Sequence, residues 1–269
     1  MGINNNEGNK NLIDSNTTKQ EDKFNKDYFE IGTYSSYKQG YDTYIEQLNY
    51  SDMVTEIITS LKPKRVLDVG CAMGRVVGMF LDNGVDAVGV DISEYAISQA
   101  DEKIKERLKI VNLETDPIPF RAGEFDFISC LAVIEHLKND TNLISEISRL
   151  IKPSGTVYLT TPPKKYKPSY HDKTHINLHE YEYWIQRFRE FGFDVKPLKI
   201  HDMFGNSYMR SFGGTIAKVK TQKPTGNLGR KLPYGLWVFT VSILKYIQNS
   251  RLYKRNRFIW AYILTIRGK

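Results

Sequence analysis

The sequence predicts an α/β protein with a doubly wound parallel sheet covered by helices on both faces. Three observations carry this. Short β-branched runs alternate with helix-like stretches from about residue 65 to residue 200. Val66-Leu67-Asp68-Val69 passes straight into Gly70-Cys71-Ala72-Met73-Gly74, a buried strand entering a glycine turn. Arg75 to Leu81 then has helical apolar spacing, so the turn opens onto a helix N-terminus, as nucleotide-type sites do.

The elements follow in order. Residues 1–26 are rich in Asn, Lys, Asp and Thr and are expected to be a disordered tail. Residues 27–62 are expected to form an N-terminal helical cap. In it Tyr34, Tyr37, Tyr41 and Tyr44 fall at helical spacing, interrupted by Gly40. Ser51 suits the N-cap of a helix carrying Met53, Val54, Ile57, Ile58 and Leu61 on one side, and Pro63 ends it. The main domain, 63–269, starts with strand one at 65–70 and its helix at 74–83. Strand two covers 86–91, with a helix from Glu94 to Arg107. Strand three covers 108–112 and strand four 125–130, with a helix near 139–150. Strand five covers 156–160, a helix runs from Glu180 to Phe191, and Phe193 to Ile200 is strand six. Phe258 to Ile266 suits a last strand. The 202–257 stretch between the last two strands reads as a basic, aromatic insertion.

The glycine turn is not the dinucleotide fingerprint, because Ala72 holds its middle position and Arg75 its last. Asp68 just before the turn would repel a pyrophosphate and suits a ligand carrying an amine. Ala87-Val88-Gly89-Val90-Asp91 ends in an acid 21 residues after Gly70, where a carboxylate can accept both hydroxyls of a ribose. Strand four is followed by Val133-Ile134-Glu135-His136-Leu137, and strand five by way of Leu150-Ile151-Lys152-Pro153-Ser154-Gly155. Together these stretches resemble the motifs of the class I S-adenosylmethionine (SAM) methyltransferases. Their usual first motif is LDxGCGxG and their fifth strand follows an LKPGG turn. The resemblance covers roughly residues 55 to 200 and the last ten.

The resemblance implies a Rossmann-like sheet of seven strands, mostly parallel, with an antiparallel last strand beside the sixth. It implies SAM as cofactor. Asp91 would take the ribose hydroxyls and Asp68 would face the methionine amine. Gly70 and Gly74 would give backbone access, with Ala72 standing where the family has Gly. Ile92 and Leu113 would pack on adenine. Asn112 would bond the adenine amine or simply make a turn, and Leu131 would line the methionine part. Methyl transfer is a displacement at an already activated carbon, so the protein mainly aligns the nucleophile and excludes water. A hydroxyl acceptor needs a base, and His136 and His175 are the candidates, a structural hydrogen-bonding role being the alternative for each. The ubiquinone-pathway O-methyltransferases carry Glu-x-x-Glu-His after strand four, linked to a metal. Ala132 replaces the first Glu here, so no metal is expected. His171 and His179 flank His175 at four-residue spacing but read as loop residues.

The net charge of +7 is unevenly distributed: thirteen of the 38 Lys and Arg, and none of the 31 Asp and Glu, lie in 203–269. Residues 232–244 are uncharged and too few to span a bilayer. The pattern suits docking of 203–257 on an anionic membrane surface, or a hydrophobic lid, or a solvated basic tail. Cys71 and Cys130 read as buried thiols in a reducing compartment. The expected protein is therefore a cytoplasmic SAM-dependent methyltransferase, peripheral at the inner face of a membrane if 203–257 docks there. It would act on a small-molecule, saccharide or lipid-linked acceptor, with O-methylation preferred. The rivals are an RNA methyltransferase, opposed by the continuous apolar run, and a SAM-fold binding protein without activity.

Overall fold

The structure is a computed structural model and describes residues 23–32, 34–35, 41, 44–199 and 259–267. The insertion at 202–257, most of the expected tail and Tyr37 lie outside the described residues. Seven strands form one sheet in the order β3-β2-β1-β4-β5-β7-β6. They are β1 Arg65–Val69, β2 Asp86–Asp91, β3 Leu108–Ile110, β4 Phe125–Leu131, β5 Ile151–Thr160, β6 Phe193–Lys199 and β7 Ile259–Ile266. Strands β1 to β5 pair in parallel. β7 is antiparallel to both of its neighbours, β5 and β6.

The strands alternate their side chains between two covered faces. Leu67 and Val69 of β1 join the cluster under the helices Thr141–Leu150 (α4) and Tyr181–Glu190 (α5), through Leu143, Ile147, Trp184 and Phe188. Val66 points the other way, to Val54 and Ile57 of helix Tyr44–Leu61 (α1) and Val77 and Phe80 of helix Arg75–Asp82 (α2). A strand buried on both faces reads as a continuous apolar run. In β1 and β2 that run is broken only by Arg65 at the start of β1, Asp68, Gly89 and the acids that end β2. The chain order reverses between β1 and β4, and the carboxyl ends of those strands frame the crevice where such sheets bind ligands.

Three local expectations change. The helix after β2 is only Glu94–Ser98 (α3), followed by turns and a 3-10 segment at Lys105–Arg107. Ser93 caps its start by accepting from Ala96 N at 3.0 Å, while Asp101 Oδ1 accepts from Lys103 N at 2.9 Å and favours a turn over a longer helix. Helix α1 begins at Tyr44, so Ser51 lies inside it and is no N-cap; its carbonyl accepts from the Thr55 hydroxyl at 2.8 Å. Strand β5 begins at Ile151, because Ile151 already pairs with Phe125 of β4, ahead of a register shift that brings Thr156 opposite Phe127.

The tail and cap also differ in detail. Phe24 and Asn25, expected in the tail, belong to the packed structure: Phe24 O accepts from the Ser93 hydroxyl at 2.5 Å and Asn25 Oδ1 from Tyr28 N at 3.2 Å. Asp27–Ile31 forms a π-helical turn closed by Gly32, and Tyr34 and Tyr41 occupy bends. The tyrosines at helical spacing therefore do not share one helix among the described residues.

Candidate active site

The glycine turn is fastened to the end of β2. Gly70 N and Cys71 N both donate to Val90 O, at 2.8 and 3.0 Å. The Asp91 carboxylate closes the fastening: Oδ2 accepts from Ala72 N and Oδ1 from Ser93 N, each at 2.8 Å. Gly70 has φ +75°, and a β-carbon there would lie 2.2 Å from Val133 Cγ2, so only glycine lets the turn pass under the chain leaving β4. Ala72 keeps φ +46° with a side chain, a conformation that costs about 1–2 kcal/mol in an L-residue. Burial raises the proton affinity of Asp91, opposed by the backbone N–H groups of Ser93 and Ala72 that point at it.

Beside this turn lies an open cleft of about 670 Å³, a figure that includes the solvent space of its mouth. Gly70, Ala72, Asp91, Ile92, Asn112, Leu113 and Leu131 all line it. Asp68 and Gly74 do not. Asp68 lies below the turn, 3% exposed, and accepts from the Ser129 hydroxyl at 2.7 Å. Burial pushes its carboxyl up to about 7, with the Asp91 charge adding and Ser129 opposing. Gly74 serves packing, since a β-carbon there would meet Leu108 Cδ1 at 2.7 Å. The Asn112 side-chain oxygen accepts from Glu114 N at 3.0 Å, so its hydrogen bonds display the turn role.

The other half of the cleft is lined by Phe24, Tyr28, Phe29, Tyr41, Tyr50 and His136. His136 ends the 3-10 turn Ile134–His136, and the rings of Phe24 and Tyr28 stand edge-on to it at 5.4 and 6.3 Å. Its Nδ1 is 2.8 Å from Thr174 Oγ1. His175 does not line the cleft but lies behind His136, ring centroids 4.8 Å apart, with its Nδ1 2.7 Å from Ser169 O. Burial lowers both imidazoles. His136 falls to about 4, with His175 lowering it further and Asp172 opposing. Glu135 is fully buried beside the Thr161 hydroxyl, and neither makes a hydrogen bond of good geometry among the described residues. Its carboxyl is pushed up to about 8, chiefly by burial.

Ligand atoms of Glu135, His136 and His175 lie within 4.8 Å of one another. His179 is elsewhere, bonded to Asn177 Oδ1 at 2.8 Å and stacked on Tyr183, and His171 is exposed. Sequence reasoning missed Phe24, Tyr28, Asp172 and Thr174. Only the Asp-x-Thr-His order of 172–175 hinted at the last two, through the turn that Asp172 makes by accepting from Thr174 N at 3.0 Å.

Fold, turn and cleft define a doubly wound α/β protein with a ligand site at the carboxyl ends of β1 and β2. Residues 41–198 match a family model described as a methyltransferase domain, and the chain belongs to that family. It is a SAM-dependent methyltransferase with a Rossmann-like fold, and its cofactor is SAM. It is similar to ubiquinone biosynthesis O-methyltransferases. The Acinetobacter baylyi protein is 29% identical over 60% of this chain and 73% of its own length. The Dechloromonas aromatica protein is 36% identical over 40% of this chain and 49% of its own length. Among solved structures, the fold is shared with Haemonchus contortus phosphoethanolamine N-methyltransferase 2 bound to SAM. That match has TM-score 0.54 and 16% identity, and covers 94% of this chain and 61% of the other. A putative sarcosine dimethylglycine methyltransferase from Galdieria sulphuraria shares it too, with TM-score 0.51, 13% identity and coverage of 81% and 84%. No described helix is long and apolar enough to cross a membrane.

Proposed function

We propose that the chain methylates a hydroxyl group of a small-molecule, saccharide or lipid-linked acceptor, with His136 as the general base. One observation carries this: the cleft joins the Asp91 turn to the His136 ring, and His136 is the histidine that lines it. Asp91 receives the ribose hydroxyls with the lone pairs not used by Ala72 N and Ser93 N. Ile92 and Leu113 flank adenine, and Leu131 the methionine part. Asp68 acts from below the turn, its charge favoured when the ligand's amine is near. The aromatic side chains across the cleft exclude water and offer π faces to the sulfonium. His136, neutral above about pH 5, takes the proton as the acceptor oxygen attacks. The names of the curated relatives support oxygen as the acceptor atom.

The test is transfer of labelled methyl from SAM into three probes: a simple phenol, a monosaccharide and a primary amine. Labelling of the phenol or the sugar supports the reading, and labelling of the amine alone overturns it. An arm with EDTA should leave transfer unchanged. A loss restored by a divalent cation would assign the Glu135, His136 and His175 group to a metal.

Residues 203–257 are proposed to dock on an anionic membrane surface. The support is sequence alone: the apolar run with Trp237 and Phe239, flanked by basic residues and no acid. Sedimentation with anionic vesicles at low salt should carry the protein down, and added salt should release it. Protein that stays in the supernatant overturns the membrane reading and leaves the lid and the solvated basic tail.

A further inference from the structure

We propose that Asp172 is a positioning residue of the methyl-transfer site: through the Thr174 hydroxyl it holds the His136 imidazole in one orientation, with its proton on Nδ1. The inference rests on the reading of His136 as the base.

Asp172 is 3% exposed and does not line the cleft, so it can act there only through another group. Its Oδ1 accepts from Thr174 N at 3.0 Å and lies 2.5 Å from Thr174 Oγ1. A hydroxyl has one proton to give, and an oxygen so close to a carboxylate oxygen must place that proton between them. Thr174 Oγ1 is therefore an acceptor toward His136 Nδ1, 2.8 Å away. Had the hydroxyl donated to the imidazole instead, two acceptor oxygens would face each other without a proton. Nδ1 thus carries the hydrogen, and a neutral imidazole protonated there has its basic lone pair on Nε2.

The backbone makes the arrangement rigid. Ile176 N and Asn177 N both donate to Glu135 O at 2.9 Å, and Asn177 Nδ2 donates to Ile134 O at 3.2 Å. The loop bearing Asp172 and Thr174 is therefore stitched to the turn bearing His136. Tyr28 donates its hydroxyl to Asp172 Oδ2 at 3.4 Å, and Lys173 N donates to Tyr34 O at 2.8 Å, which ties the N-terminal segment to the same loop. The titratable groups around His136 are Glu135 on its own turn, Asp172 and His175 from the loop, and Tyr28 from the N-terminal segment.

In the reaction, the acceptor oxygen forms its bond to the methyl carbon as the carbon–sulfur bond breaks. The sulfonium electron pair goes to sulfur, giving S-adenosylhomocysteine. The hydroxyl proton goes to Nε2, giving an imidazolium that later returns it to solvent. The positive charge then sits at the end of the Thr174–Asp172 chain, as in other aspartate-supported histidine bases.

The test uses the full chain with ¹⁵N-labelled histidine and reads each imidazole tautomer by long-range ¹H–¹⁵N correlation. His136→Gln identifies the signal by its loss. Wild type should show His136 protonated on Nδ1. Asp172→Asn and Thr174→Val should turn it into a mixture, and Thr174→Ser, which keeps the hydroxyl, should restore it. S-adenosylhomocysteine affinity checks that each variant is folded, and Thr174→Val reads the same link should Asp172→Asn fail to fold. With the best hydroxyl probe, Asp172→Asn should lower turnover by about 10²- to 10⁴-fold. It should also move the acid limb of kcat/KM to lower pH, because the carboxylate that favours the charged imidazole is gone. An unchanged tautomer in both Asp172→Asn and Thr174→Val overturns the proposal. Full turnover in His136→Ala would instead overturn the base assignment and leave the tautomer result standing.

Discussion

The two halves of the cleft are built differently. The cofactor half comes from residues within a few positions of the ends of β1, β2, β3 and β4, and its turn is held by local backbone groups: Val90 O, Ala72 N and Ser93 N fix the turn on Asp91. The acceptor half joins three stretches far apart in the chain, through backbone bonds from Ile176 and Asn177 to Glu135 and from Lys173 to Tyr34, and through the side chains of Tyr28, Asp172, Thr174 and His136. Backbone fastening needs little more than glycine and one acid, so it leaves a compact signature in sequence. Fastening between stretches more than a hundred residues apart leaves none. The first half suits a fixed ligand, the second an acceptor that differs from enzyme to enzyme.

If the halves are separable, damage to one should spare the other. The largest effect is expected from His136→Ala, which should lower turnover on a hydroxyl probe by about 10²- to 10⁴-fold while SAM affinity stays within threefold. Parallel loss of SAM binding would show that the halves are coupled. A smaller effect concerns Glu135 and needs no substrate. In the unfolded chain its carboxyl ionises above about pH 4.5, whereas in the folded protein burial keeps it protonated to about 8. Its contribution to stability is therefore complete below pH 4.5 and is lost as pH rises through 8. Glu135→Gln should match wild type at pH 4 and exceed it by about 1–4 kcal/mol at pH 8, read from urea unfolding. Equal pH dependence in the two proteins would mean that the buried carboxyl has a partner, a bound cation included.

The legibility of the sequence follows the same division. The alternation of strands and helices and the positions of the described strands were readable to within about two residues, the early start of β5 at Ile151 apart, because strands buried on both faces are short apolar runs. Gly70, Ala72, Asp91, Ile92, Asn112, Leu113 and Leu131 were found from motif spacing, and all line the cleft. Asp68 was expected to face the methionine amine, but it lies outside the cleft lining, and the register that points it at Ser129 comes from the pairing of β1 with β4. Helix ends were misjudged at Glu94–Ser98 and at Ser51, where local side-chain bonds and neighbouring packing override propensity. Asp172 and Thr174 were illegible because their meaning depends on a histidine nearly forty residues earlier.

Calorimetric titration of SAM into wild type, Asp91→Ala and His136→Ala tests the division most directly. The account predicts that Asp91→Ala loses about 2–4 kcal/mol of binding free energy, the worth of the hydrogen bonds a charged group makes to two ribose hydroxyls. It predicts that His136→Ala binds as wild type does. Undiminished affinity in a folded Asp91→Ala variant, or a loss in His136→Ala as large as in Asp91→Ala, would contradict it.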